Sequence, residues 1–350
     1  MKENGCYYTP LPLIDTHLKT LKIEKGMKIL EPSCGDGRYV RLLKDYNVDC
    51  IEKYPIEKTP KCIHDDFLSF KSKPIYDLII GNPPYHTILY RDVIKYDKNY
   101  TMFYSNTCNI YLLFIIAGIR ILKKDGILSY ILPQNFLNTQ SYNNLRKYIN
   151  DFYTVLNIQP INTKFKECKV KTIIFTIQKT MKKNNIYTIA TPIIQKKKNI
   201  INILFQTEEN VIRYKELIKN KKSLKQHGFT AVNGTGQSSE GENILLKPSN
   251  IYLGKIREKP LYKSNQETTI PPYIVASRGF GHCPFVLNPC LITDKEYVVD
   301  GHLICIKHQD KSKLKELHTF LSSPECKELV FIICQNNQLT TGELLFLFYY

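Results

Sequence analysis

The first half of the chain alternates short apolar runs with amphipathic stretches. Residues 27–30 form an apolar run ending in Glu31-Pro32-Ser33-Cys34-Gly35-Asp36-Gly37, and 39–43 has helical spacing. Residues 48–52 and 76–80 predict two further strands, the second stopped by Gly81-Asn82-Pro83-Pro84. Residues 109–122 predict a helix, Lys123-Lys124-Asp125-Gly126 a turn, and 127–132 and 171–178 two more strands. Strands separated by helices predict a doubly wound, Rossmann-like α/β sheet, parallel, with helices on both faces.

The alternation ends near Lys179. Residues 180–200 carry two basic clusters, Lys182-Lys183 and Lys196-Lys197-Lys198, around a small predicted strand at 186–189. Residues 223–250 are rich in Gly, Ser, Asn and Gln, later segments are short, and 313–321 and 325–333 predict helices. The expected organisation is a catalytic domain over 1–190 and a mixed α+β recognition domain over 191–350.

Composition narrows the function. The 350 residues are 43% hydrophobic and carry a formal net charge of +17, a balance that suits a phosphate backbone. A lysine-rich solvated surface would give the same number, so charge favours nucleic acid only modestly. The eleven cysteines include no C-x-x-C and no H-x-E with P-C-x-x-C, so no metal site and no zinc deaminase is expected. Free thiols in this number point to a reducing, intracellular compartment. No signal peptide is expected at the N-terminus, and the most apolar run, 111–122, contains Arg120 and reads as a buried helix rather than a membrane span.

Two constellations carry chemistry. The first is a strand, an acid and a Gly-x-Gly turn before a helix: Glu31, Ser33, Gly35 and Gly37. Glycines there let the backbone turn sharply against a ligand. A dinucleotide fingerprint would need glycine at position 40, where Val40 stands, so a pyrophosphate site is disfavoured. Glu52 ends the second strand at the spacing of a ribose-binding carboxylate, and Asp66-Phe67 could hold an adenine ring. The second constellation is Asn82-Pro83-Pro84-Tyr85, directly after an apolar strand, where open α/β sheets bind ligands. An exocyclic or amide nitrogen is a poor nucleophile because its lone pair is delocalised. The Asn82 side-chain oxygen and the Pro83 carbonyl can accept its two hydrogens and draw it toward tetrahedral geometry. The prolines place those acceptors in advance, and Tyr85 offers a face for a base.

Together these features resemble the gamma-class adenine-N6 DNA methyltransferases of restriction-modification systems. The match runs in order through Tyr7-Tyr8-Thr9-Pro10, the Glu31–Gly37 turn, Glu52, Asp66-Phe67, Asn82 to Tyr85, Asn109-Ile110-Tyr111, and Phe165 ahead of Val170, covering the first half of the chain. The resemblance implies S-adenosylmethionine as cofactor, with Thr9 and Glu31 toward its methionine part, Ser33, Gly35 and Pro84 beside it, Glu52 at the ribose, and Asp66 and Phe67 at the adenine. It implies double-stranded DNA as substrate, an adenine flipped out between Tyr85 and Phe165, and a recognition domain in the second half that includes Pro271 to Gly279. A lysine usual in the family after the aromatic is replaced by Cys168. A cognate restriction endonuclease, action as a monomer on DNA and no membrane partner are further expectations.

Asn-Pro-Pro-Tyr alone does not choose among adenine, guanine N2 and protein glutamine. An RNA adenine enzyme would share the same centre, and a catalytically silent DNA-binding subunit would keep the fold. The predicted order, catalytic domain first and basic domain second, favours DNA over glutamine, and intact Asn82, Tyr85, Glu31 and Glu52 disfavour the silent subunit. Arg278, Lys247 and the loop 233–237 are candidates for base reading in the second half.

Overall fold

In the computed structural model, described residues are 8–56, 62–103, 107–137, 139–161, 171–180, 191–197, 200–206, 208–257, 259–278, 287–334, 339–345 and 347–349. The chain divides into two units, Met1–Phe205 and Gln206–Tyr350.

The first unit is built on a seven-stranded sheet. Its strands are β1 (Lys28–Glu31), β2 (Asn47–Glu52), β3 (Ile63–His64), β4 (Tyr76–Gly81), β5 (Leu122–Pro133), β6 (Thr154–Ile161) and β7 (Thr172–Gln178). Their spatial order is β3-β2-β1-β4-β5-β7-β6. The pairs from β3 through β5 are parallel, as the alternation predicts. β7 departs from that prediction: it pairs antiparallel with both β5 and β6. Only ten residues separate Ile161 from Thr172, fewer than the dozen or so that a parallel crossover needs, so β7 returns in the opposite direction to β6. The predicted turn at 123–126 lies inside β5, where Asp125 adopts φ 63° and its N–H donates to Lys179 O. Pairing with β4 jumps from Tyr76–Leu122 to Leu78–Ile127, so the turn is an excursion that the sheet absorbs as a bulge.

β4 and most of β5 are buried apolar runs, as expected of central strands covered on both faces. α1 (Leu11–Lys19) begins with proline in its first turn, where no amide hydrogen is missed. α2 (Arg38–Leu42) follows Gly37, which has φ 76°. α3 (Tyr90–Tyr96) and α5 (Asn143–Phe152) are amphipathic or short, whereas α4 (Tyr111–Ile121) is buried at every position except Arg120. Arg120, in the last turn of α4, lies 4.5 Å from the Tyr100 ring centre. Among the described residues no helix is long and apolar enough to cross a membrane.

A buried polar chain crosses the sheet beside α1. The His17 Nδ1 lies 2.7 Å from Tyr39 Oη, its Nε2 2.7 Å from Ser129 Oγ, and that oxygen 2.7 Å from Thr176 Oγ1. Complete burial lowers the His17 pKa from 6.5 to about 3, so the ring is neutral.

The second unit contains a four-stranded antiparallel sheet in the order Thr230–Asn233, Leu303–Lys307, Tyr273–Ser277, Cys290–Ile292. Its helices include Glu208–Ile218, Lys311–Ser322 and Pro324–Ile333, the last two where periodicity places them. The 233–237 loop is tied down rather than a loose connection: Gly234 N donates to Leu303 O and Gly236 N to Val299 O. Arg278 donates to the carbonyls of Leu339 and Gly301, and Lys247 Nζ lies 4.3 Å from the Tyr262 ring centre. Both candidate base readers are therefore engaged within their own unit. The strand predicted at 186–189 lies outside the described residues.

Candidate active site

One cavity lies at the carboxyl ends of the parallel strands. Its walls include Thr9, Glu31, Ser33, Gly35, Glu52, Asp66, Phe67, Asn82 and Pro84, which are all the residues expected at the cofactor together with the first motif residue. Pro83 and Tyr85 are not among the lining residues. Phe165 lies outside the described residues.

The turn after β1 explains why glycine stands at position 35. Its φ is 52°, and a Cβ there would come 3.1 Å from the Tyr8 ring. The N–H of Gly35 donates to Glu52 Oε2 at 2.7 Å, and Tyr54 N donates to Oε1 at 2.9 Å. The expected ribose acceptor is thus fixed by two backbone amides. Each of its oxygens keeps capacity to accept a further hydrogen bond, and Glu52 lines the cavity.

Glu31 sits differently. It ends β1 with 2% of its surface exposed, and its Oε2 has no hydrogen-bond partner. Burial, followed by the negative potential of Cys50, Glu52 and Asp36, pushes its carboxyl well above the usual carboxylate range. A buried acceptor of this kind is costly unless a donor arrives, and a cationic ligand group is the donor that would relieve it. Asp66 is more fully engaged. Its Oδ1 accepts from Leu68 N, while Oδ2 takes Lys53 Nζ at 2.9 Å and the Tyr96 hydroxyl at 3.1 Å. Phe67 is buried against Phe114, with ring centres 5.1 Å apart.

At the end of β4, Asn82 Nδ2 donates to Thr9 Oγ1 at 3.0 Å. The Tyr85 hydroxyl has two acceptors in reach, Asn82 Oδ1 and, at 2.9 Å, the Ile131 carbonyl of β5. Ser33 Oγ approaches the Asn82 carbonyl at 3.4 Å. The Tyr85 ring packs edge-on against Tyr111, 6.0 Å between centres. Tyr111 is itself buried among Phe136 and Tyr142, so a wedge of aromatic side chains fixes the motif from behind.

Sequence reasoning missed several walls of the cavity. Arg38, Lys53, Tyr54, His86 and Tyr96 all line it. Arg38 is held between Asp36 Oδ2 at 2.9 Å and Thr9 O at 3.0 Å, bracing the N-terminal strap against the glycine turn. Position gave the available signal: Lys53 and Tyr54 follow Glu52, and His86 follows Tyr85.

Residues 42–170 match the family described as Eco57I restriction-modification methylase. The type II methyltransferase M.HincII of Haemophilus influenzae is 30% identical over 154 residues, 41% of this chain and 31% of that protein. The type II methyltransferase M.CvrRI of Paramecium bursaria Chlorella virus XZ-6E is 25% identical over 334 residues, 88% of this chain and 84% of that protein. Among solved structures, the type IIG restriction endonuclease BpuSI superposes with a TM-score of 0.46 at 11% identity, over all of this chain and 59% of that one. The chain thus spans less than a third of M.HincII but most of M.CvrRI. The first unit thus has a doubly wound, Rossmann-like α/β sheet, and the chain is similar in sequence to type II restriction-modification methyltransferases.

Proposed function

We propose that the chain is an S-adenosylmethionine-dependent DNA methyltransferase that modifies N6 of an adenine flipped out of double-stranded DNA. The observation that carries this is the placement of Asn82-Pro83-Pro84-Tyr85 at the end of β4, with Asn82 and Pro84 on the same cavity as Glu31 and Glu52. When bound, S-adenosylmethionine supplies an electrophilic sulfonium methyl group. The cavity fits it: the orphan carboxylate of Glu31 suits the ammonium of its methionine part, and the amide-fixed Glu52 suits ribose hydroxyls. Asp66 keeps acceptor capacity on Oδ1 for an adenine amine, and Phe67 offers an apolar wall.

On the substrate side, Asn82 Oδ1 and the Pro83 carbonyl accept the two hydrogens of the exocyclic amine. That draws the nitrogen toward tetrahedral geometry and frees its lone pair. The proton leaves after transfer, so no strong general base is required. Tyr85, and Phe165 from the segment ahead of β7, sandwich the base, each stack being worth about 1–3 kcal/mol. Restriction-modification relatives and the basic composition support DNA over RNA or protein glutamine. The second unit supplies sequence recognition, the enzyme acts as a monomer on DNA, and a cognate endonuclease accompanies it.

Modified-base sequencing of DNA from cells expressing the full chain tests this. N6-methyladenine at one recurring sequence is expected. Its absence, with N6-methyladenine in RNA or methylglutamine in protein instead, overturns the DNA assignment.

A further inference from the structure

Three thiols converge behind the glycine turn. Cys34 stands in the turn after β1, Cys50 in the middle of β2, and Cys62 immediately before β3. Their sulfur atoms all lie within 4.8 Å of one another, with Cys34 and Cys50 buried and Cys62 half-buried. Among the described residues this is where three such donor atoms come within reach of one ion. We propose that Cys34, Cys50 and Cys62 form a binding site for a single soft divalent cation, zinc or a similar thiophilic ion, against the back of the cavity.

The geometry needs little adjustment. Zinc–sulfur bonds are about 2.3 Å, so three thiolates around one ion are spaced by roughly 4 Å. Closing the observed triangle to that size takes movements of under an ångström per side chain. Cys50 lies on β2, and Cys34 and Cys62 flank β1 and β3, which pair with β2 through Glu31–Cys50 and Ile51–Ile63; the Cys34 amide also donates to Ile51 O at 3.1 Å. Donors on rigid, mutually bonded elements are held in register for an ion.

The local electrostatics also favour a cation. Cys50 faces its two fellow thiols, and Glu31, Glu52 and Asp49 act on the cluster from the neighbouring strands. Uptake breaks three S–H bonds, forms three sulfur–metal bonds and releases three protons to solvent. Three protein ligands leave a fourth position for a non-protein ligand. The role of the cavity as a cofactor site is not needed for any of this. Cys34 also lines that cavity, however, so occupancy would stiffen its rear wall.

Titration of the reduced, metal-free full chain with cobalt(II) tests the site. One equivalent should bind with intense thiolate-to-cobalt charge-transfer absorption and proton release, and added zinc should bleach the band. The half-buried Cys62→Ser should weaken uptake by more than the roughly 10–100-fold typical of losing a mere supporting partner of a metal site. Cys50→Ser should abolish uptake, and Cys290→Ala, elsewhere in the chain, should leave it unchanged. Thermal melts show which variants fold, and Cys62→Ser alone decides if Cys50→Ser does not. Absence of the band at one equivalent overturns the proposal. So does a band that survives Cys62→Ser, one lost in folded Cys290→Ala, or a Cys34–Cys50 disulfide in place of metal uptake.

Discussion

Replacing Glu31 by glutamine separates a ligand-binding carboxylate from a structural one, because the two roles predict opposite signs. The carboxyl is buried, one oxygen has no partner, and burial with the nearby Cys50, Glu52 and Asp36 raises its pKa. Over the pH range from the ordinary value of 4.5 up to the raised value, the native state holds a proton that the unfolded chain has lost. Stability therefore falls as pH rises through that window, at up to about 1.4 kcal/mol per pH unit. Glu31→Gln removes this penalty, so the free variant should melt at or above the parent's temperature near neutral pH. A charge-assisted hydrogen bond to a ligand ammonium is worth about 1.5–3 kcal/mol, so the same variant should bind S-adenosylmethionine roughly 10- to 150-fold more weakly. In the parent, binding captures the ionised carboxylate, so affinity should rise with pH until the free-state pKa is passed. In Glu31→Gln that dependence should vanish. Calorimetric titration at several pH values, paired with thermal melts, reads all three quantities. An unchanged affinity together with a lowered melting temperature would refute the assignment and make Glu31 a structural residue.

Three further perturbations test other parts of the molecule. Asn82→Ala removes the proposed amine acceptor and should abolish methyl transfer while changing cofactor affinity by less than about tenfold; tritium transfer and calorimetry measure the two, and retained turnover sinks the mechanism. His17 has a native pKa of about 3 against 6.5 unfolded, so its contribution is complete above 6.5 and declines as pH falls toward 3 at about 1.4 kcal/mol per unit. Urea midpoints across that range should show a flatter slope in His17→Gln than in the parent; identical slopes would remove His17 as the source. Gly118→Ala would set a Cβ 2.6 Å from Leu128 Cδ1 and 3.3 Å from the Tyr130 hydroxyl, both side chains fully buried. Overpacking of this kind costs about 1–3 kcal/mol, and an unmoved urea midpoint would show that the α4–β5 contact yields freely.

Much of the first unit is legible in the chain because buried parallel strands are continuous apolar runs, and β1, β4 and β5 are such runs. The cavity-lining candidates are legible for a related reason: each sits where a strand ends, as Glu31, Glu52 and Asn82 do. The reversed direction of β7 is not legible, since an apolar strand reads the same both ways and only pairing fixes its sense. α1 is hidden by Pro10 and Pro12, which suggest a loop although proline is tolerated in a first helical turn. The thiol cluster is invisible for a topological reason. Cys34, Cys50 and Cys62 are spaced by fifteen and eleven intervening residues, and only the side-by-side pairing of β1, β2 and β3 gathers them. In the second half, short strands separated by polar turns give weak periodicity. That the carbonyls of Gly301 and Leu339 hold Arg278 is equally invisible, because both lie far from it along the chain.

The Tyr85 hydroxyl carries one hydrogen and has two acceptors, Asn82 Oδ1 and Ile131 O. In the proposed mechanism it would serve as a two-position latch. With no base present, the hydrogen can cap the Asn82 oxygen, so the idle site does not hold a bare acceptor in search of a partner. When an amine brings its own hydrogen to that oxygen, the phenol rotates its hydrogen to Ile131 and loses nothing in the exchange. In the proposed mechanism this exchange would leave stacking and shape to set the affinity for an extruded base. The asparagine would then act on the nitrogen rather than hold it.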